Sequence, residues 1–122
     1  MNDRNNQKTL IILNDPPYGT VRSWNGLRLA ISLASREGDE VRLFLLGDAV
    51  SCAKRGQQTP NGYYNLERML KAAAGRGAAI GACGTCLDAR GLKDEDLVEG
   101  VRRSSLDELT SWTQWADKVL VF

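Results

Sequence analysis

The sequence contains no histidine. That absence removes the Ser-His-Asp triad, the Cys-His dyad and every imidazole-bound metal site, so any chemistry here proceeds without imidazole. Cysteine is nearly as scarce: three in 122 residues, an odd and sparse set that is not a disulfide scaffold. The three prolines, Pro16, Pro17 and Pro60, all fall in the first half of the chain. Charge of one sign is lacking too, since 16 basic and 15 acidic residues leave a net charge of +1. Nucleic-acid binders carry a clustered basic excess. The nearest thing here is Arg102-Arg103 beside Ser104 and Ser105, read as solvated surface. No run approaches the roughly 18 apolar residues of a membrane span. Met1 to Lys8 is polar, with no apolar stretch behind its charges, unlike a secretory signal. The expectation is a cytoplasmic protein with no membrane and no direct nucleic-acid partner.

What is present is ordinary for a globular chain: 43% hydrophobic and 25% charged residues. The length fits a single domain over 1–122, with residues 1–8 disordered or extended. Thr9 to Leu13 and Val41 to Leu46 are short, nearly continuous apolar runs that read as buried parallel strands. Ala78 to Cys83, Val101 to Arg103 and Lys118 to Phe122 complete a set of five strands. Between them, apolar residues recur at helical spacing over about 22–37, 65–74 and from Leu106 to Ala116. Shorter helical turns are expected at Ala49 to Ala53, from Thr85 to Ala89 and within Lys93 to Glu99. Ser105 with Glu108 three residues on has the pattern of a capping box. Lys54 to Gly62 is the longest loop and is expected to be the most mobile segment. Alternation of this kind predicts an α/β fold, a three-layer sandwich with a central, mostly parallel five-stranded sheet.

Such sheets bind ligands beyond the carboxyl ends of their strands. Three segments should gather there: Asn14–Thr20, Gly47–Cys52 and Cys83–Arg90. The last holds Cys83-Gly84-Thr85-Cys86. A thiol at a helix start meets free N–H groups and the helix dipole, which favour its thiolate. Residues 83, 86 and 90 share a helix face, so the Arg90 guanidinium is expected near the sulfur charge. Gly84, lacking a side chain, is expected to leave the approach open.

Four chemistries compete for this segment. Thiol–disulfide exchange suits the spacing, but a thioredoxin fold needs a proline after the motif, and none follows it. Zinc would have only Cys83, Cys86 and Cys52 from one chain, so a closed four-ligand site needs two subunits. A nucleotide would need a phosphate loop, and Asn14–Thr20 has one glycine and no Gly-Lys-Ser/Thr sequence. Sulfur carriage as a persulfide needs only one accessible nucleophilic thiol, with no metal and no cofactor. Blander roles are assigned elsewhere. Cys52 is a packing residue, Asp48 caps the following turn or faces the site, and Tyr18 lines the mouth or covers its loop. The tryptophans belong to core or interface.

Four segments together carry a resemblance: Asp15-Pro16-Pro17-Tyr18-Gly19, Asn25-Gly26-Leu27-Arg28-Leu29-Ala30, Phe44-Leu45-Leu46-Gly47-Asp48-Ala49-Val50, and Ala82-Cys83-Gly84-Thr85-Cys86-Leu87-Asp88-Ala89-Arg90-Gly91-Leu92. In this order, from about residue 9 to the end of the chain, the sequence resembles the DsrE/DsrF-like family. The resemblance implies a DsrEFH-like compact α/β domain that assembles as a homo- or hetero-oligomer, often a trimer or hexamer. It implies a sulfurtransferase-type role in a sulfur relay, with protein donors and acceptors of sulfur and the persulfide on the cysteine at position 83. The family's Arg-Gly corresponds to Arg90-Gly91, and Cys86 is a departure from the better-understood carriers. Taken with the reading of the residues, the expected site has Cys83 and Cys86 as catalytic thiols and Gly84, Thr85, Arg90, Tyr18 and Asp48 as the residues that bind the transferred group. The alternatives are a non-catalytic oligomeric subunit and a CxxC thiol–disulfide redox protein.

Overall fold

A computed structural model describes residues 6–122. The strands are β1 (Lys8–Leu13), β2 (Glu40–Leu45), β3 (Ala79–Cys83), β4 (Val101–Ser104) and β5 (Lys118–Val121). They form one sheet in the order β4-β3-β2-β1-β5, and every pairing is parallel. Residues 1–5, most of the segment expected to be disordered or extended, lie outside the described residues. Lys8, expected to belong to that segment, already opens β1 and pairs with Glu40.

Successive strand residues point to opposite faces, so each apolar run feeds two cores. On one face Ile11, Leu13, Leu43, Leu45, Ile80 and Ala82 pack with Leu27 and Ala30 of α1 (Arg22–Ala34) and with Leu66, Leu70 and Ala73 of α2 (Leu66–Gly75). On the other face Leu10 and Phe44 pack with Leu109 and Trp112 of α4 (Leu106–Trp115), the Phe44 and Trp112 rings meeting edge to face at 6.0 Å. The result is the expected three-layer α/β sandwich, with an all-parallel sheet rather than a mostly parallel one. Parallel strands buried on both faces explain the lack of polar alternation in β1 and β2.

Helix α1 stops at Ala34, three residues short of the expected end. Ser35 turns its hydroxyl back onto the Ile31 carbonyl at 2.8 Å, and the chain leaves through Gly38. Asn65 is the N-cap of α2, accepting from the Arg68 N–H at 3.1 Å. Only half of the expected capping box forms on α4. Ser105 Oγ accepts from the Glu108 N–H at 3.2 Å, but the Glu108 carboxylate turns away to Arg102 and Ser104. The Lys54–Gly62 loop is anchored at Gln57. Gln57 donates to the carbonyls of Cys52 and Lys54, and its own N–H meets Glu67 at 2.8 Å. No helix among the described residues is long and apolar enough to cross a membrane.

Candidate functional site

Cys83 is both the last residue of β3 and the N-cap of the short helix α3 (Gly84–Ala89). A strand that ends by turning directly into a helix aims its last side chain at the orphan N–H groups of the first turn. Cys83 Sγ accordingly accepts from the Cys86 N–H at 3.3 Å and lies 3.3 Å from Thr85 Oγ1. The N-cap and the third helical residue stand over one another, and this brings the Cys86 thiol to 2.6 Å from Cys83 Sγ. All three cysteines are free, with Cys83 and Cys86 half-buried and Cys52 fully buried.

The two thiols of the pair are held differently. Burial alone would push the Cys83 thiol up. The hydrogen bonds from the Cys86 and Thr85 side chains, with those from the backbone N–H groups of Cys86 and Thr85, outweigh it and place Cys83 below the ordinary thiol value. Burial raises Cys86, and its bond to Cys83 raises it further. The Gly47 N–H, 3.2 Å from Cys86 Sγ, and the Arg90 charge offset this only in part. The first proton lost by the pair therefore leaves Cys83, and Cys86 keeps its own as a donor to the thiolate.

Arg90 does not reach the Cys83 sulfur as the helical spacing suggested. Its guanidinium donates to the Cys86 carbonyl at 3.0 Å and to Asp48 Oδ1 at 2.7 Å. Asp48 correspondingly caps nothing. It follows Gly47 in a 3-10 turn (Gly47–Ala53) and joins that turn to α3 through Arg90. Gly47 has φ +55°, and this left-handed conformation, which suits glycine, belongs to the residue whose N–H meets Cys86.

Gly84 lines the approach to Cys83 and packs closely against β4. A Cβ there would lie 3.0 Å from the Ser104 carbonyl oxygen and 3.2 Å from an Arg103 guanidinium nitrogen. Arg103, read from the sequence as solvated surface, is built into this wall. It donates to the Gly84 carbonyl at 3.1 Å and pairs with Asp88 at 3.0 Å and Asp94 at 2.8 Å. Its neighbour Arg102 pairs with Glu108 at 2.8 Å, so both guanidinium groups are engaged within the chain. The signal that could have pointed to Arg103 is the glycine directly after Cys83, which implies a close neighbour on β4.

A cavity of about 650 Å³ opens in front of Cys83, between the start of α3, the end of β4 and the start of α4. Its walls are apolar at Phe44, Leu46, Leu106 and Leu109, and polar at Thr85, Ser104 and Arg103. A smaller cavity of about 360 Å³ at the opposite end of the sheet, by Arg42 and Arg76, holds no nucleophile.

Of the three segments expected to converge, two do so at the cysteine pair. Asn14–Thr20 touches the second of them, through the Asp15 carbonyl 3.8 Å from Cys52 Sγ, but does not line the cavity. Tyr18 does not line the cavity; it ties its loop to the Lys54–Gly62 loop and α2, its hydroxyl donating to Gln57 at 2.5 Å and accepting from the Leu66 N–H at 3.2 Å. Cys52 packs as expected, and burial pushes its thiol up to about 12. Among the described residues no three His, Cys, Asp or Glu side chains come together as metal ligands would.

The family model described as the DsrE/DsrF-like family matches residues 7–122. Protein YchN of Escherichia coli strain K12 is 43% identical over 117 residues, covering 95% of this chain and 99% of the relative. The uncharacterized protein MJ0989 of Methanocaldococcus jannaschii is 39% identical over 115 residues, covering 94% and 99%. Among solved structures, the crystal structure of the Escherichia coli ychN protein superposes with a TM-score of 0.89 at 43% identity, over 95% of this chain and 99% of that one. The structure of MTH1491, a protein of unknown function from Methanobacterium thermoautotrophicum, matches at a TM-score of 0.75 and 16% identity, over 95% and 99%. That last likeness concerns the fold alone.

Proposed function

The chain belongs to the DsrE/DsrF-like family, and on that footing we propose that it takes up sulfane sulfur as a persulfide on Cys83 and passes it to a thiol of a partner protein. Family membership supports a sulfur-relay role in general terms. The observation that carries the finer reading is Cys83 itself, a half-buried thiol at a strand-to-helix junction. It is held below the ordinary thiol value by converging donors and opens onto a cavity with room for a further sulfur.

In the loading step the Cys83 thiolate attacks the outer sulfur of a donor persulfide, R–S–SH. The Cys83 S–S bond forms, the donor S–S bond breaks, and the donor leaves as R–S⁻. In delivery an acceptor thiolate attacks the outer sulfur and Cys83 leaves as thiolate. A low proton affinity makes Cys83 a good leaving group. The donors around Sγ thus serve both steps. Arg90 and Asp48 act by fixing α3 against the 3-10 turn, since neither touches the sulfur. The reading places the protein in a reducing compartment, the cytoplasm, as a homo-oligomer, a trimer or hexamer, exchanging sulfur with donor and acceptor proteins. Thiol–disulfide exchange is the second reading, favoured by the 2.6 Å approach of the two sulfurs.

Intact mass spectrometry at short times after mixing with cysteine persulfide separates these readings. Carriage predicts a gain of one sulfur atom that is removed by reductant, present on wild type and Cys86→Ser, and absent from Cys83→Ser. A wild type that gains no sulfur while all its thiols titrate as free would overturn carriage. A loss of two hydrogens with no sulfur-loaded species at any time, abolished by either substitution, would establish disulfide exchange instead.

A further inference from the structure

We infer that Cys86 is a resolving thiol: when no acceptor is present it attacks the loaded Cys83, expels the carried sulfur as sulfide and closes a Cys83–Cys86 disulfide. The inference rests on the persulfide reading and adds a release step and a redox-gated resting state to it.

Position is the first argument. The N-cap and third helical residue of α3 form a sulfur counterpart of a capping arrangement, with the N-cap sulfur accepting from the Cys86 N–H. The geometry leaves Cys86 Sγ 2.6 Å from Cys83 Sγ, and Cys83 Sγ is the inner sulfur of a persulfide formed there. Displacement at a disulfide-type bond needs the attacking sulfur beside the sulfur attacked, with the leaving sulfur directed away. The cavity beyond Cys83 supplies that direction. It also reaches Ser104 and Leu106, so the outer sulfur has room beside Cys83.

The second argument is how Cys86 is held. Its sulfur is met by the Gly47 N–H from a separate element, 39 residues away in sequence. Its carbonyl is gripped by Arg90, which Asp48 anchors to that same element. A cysteine that only filled space would resemble Cys52, which is fully buried within the core on the α1 and α2 face. Cys86 is half-buried, lines the same cavity as Cys83, and is fixed at both backbone and sulfur.

The step balances. Before loading, Cys86 holds a proton that it shares with the Cys83 thiolate. Loading leaves Cys83–S–SH with the donor's proton on the outer sulfur, and the Cys86 proton passes to the departing R–S⁻. The Cys86 sulfur then forms a bond to Cys83 Sγ while the Cys83 S–S bond breaks and HS⁻ leaves. The outer, sulfane sulfur is reduced to sulfide, and the two cysteines are together oxidised to a disulfide. Return to the loadable form requires an external dithiol, which reduces the pair by exchange. Delivery and release then compete for one persulfide. An acceptor thiol must reach the outer sulfur before Cys86 reaches the inner one, so an occupied carrier without an acceptor discharges itself.

The test compares wild type, Cys86→Ser and Cys86→Ala, each loaded with one equivalent of cysteine persulfide and rapidly desalted. Intact mass is then followed over time, with sulfide trapped by monobromobimane. The wild type should lose its extra sulfur, release one sulfide per chain and end two hydrogens lighter than the reduced protein. The cross-link should map within the peptide holding residues 83–86. Both variants should keep the added sulfur at least about tenfold longer, the advantage of an intramolecular nucleophile having gone. Equal lifetimes in wild type and both variants, with no sulfide formed, would overturn the resolving role and leave carriage standing. No sulfur gained by either variant, with Cys83 free, would overturn carriage itself and the resolving role with it.

Discussion

Cys52 offers the sharpest quantitative prediction, because its thiol is fully buried and burial pushes it from an ordinary value of 9.0 to about 12. The unfolded chain loses this proton near 9.0, whereas the folded protein retains it. Above that pH the unfolded state binds fewer protons than the native one, so stability falls as pH rises. At pH 10.5 the gap is about one and a half pH units, worth about 2 kcal/mol at 1.36 kcal/mol per unit. Cys52→Ala removes the titration and leaves a small void that costs about 1 kcal/mol at every pH. The two proteins should therefore exchange order. The wild type is more stable by about 1 kcal/mol at pH 7 and less stable by about 1 kcal/mol at pH 10.5. Urea unfolding with a phosphine reductant, run in parallel from pH 7 to 10.5, measures the difference. Every other group is common to the two proteins and cancels in the difference. A stability difference that stays flat across this range would refute the burial argument.

Two further predictions concern the site. Thr85→Val removes a hydroxyl donor 3.3 Å from Cys83 Sγ, and the midpoint of the pH profile for iodoacetamide alkylation of Cys83 should move up; an unchanged profile would show that the Thr85 hydroxyl is not directed at the sulfur. Gly47→Ala places a side chain at φ +55°, costing about 1–2 kcal/mol, and moves the N–H away from Cys86, so urea stability should fall while the Cys86 alkylation midpoint rises above that of wild type. Loss of stability with no change at Cys86 would mean that the Gly47 N–H serves only the fold.

The fold was legible because its signals are local. β1 and β2 are nearly continuous apolar runs, as strands buried on both faces are, and α1, α2 and α4 declare themselves by spacing. What was misread depends on side-chain bonds that apolar spacing does not register. Helix α1 ends early because Ser35 back-bonds to Ile31, a competition between side chain and backbone that periodicity does not register. Within the Lys54–Gly62 loop, Gln57 bonds to groups at positions 18, 52, 54 and 67. No local pattern contains that arrangement.

The site divides along the same line. The Cys83–Cys86 pair was visible because N-cap and third helical position are close in sequence, so the geometry follows from the turn alone. Arg90 was placed on the right face but given the wrong partner. Helical spacing aims it toward the pair, and an aspartate 42 residues earlier decides where its charge goes. Gly84 shows the limit most clearly. From the sequence it is an absence, a gap through which a partner reaches Cys83. In the folded chain that space is filled by the Ser104 carbonyl and the Arg103 guanidinium, and Arg103 in turn binds two aspartates and the Gly84 carbonyl. The cavity in front of Cys83 nevertheless has Gly84 in its lining, with the end of β4 and the start of α4. Leu106, Leu109 and Ser104 share that lining with Gly84 and Cys83, so a thiol reaching Cys83 by this route would pass among side chains that no pattern local to the cysteine pair contains.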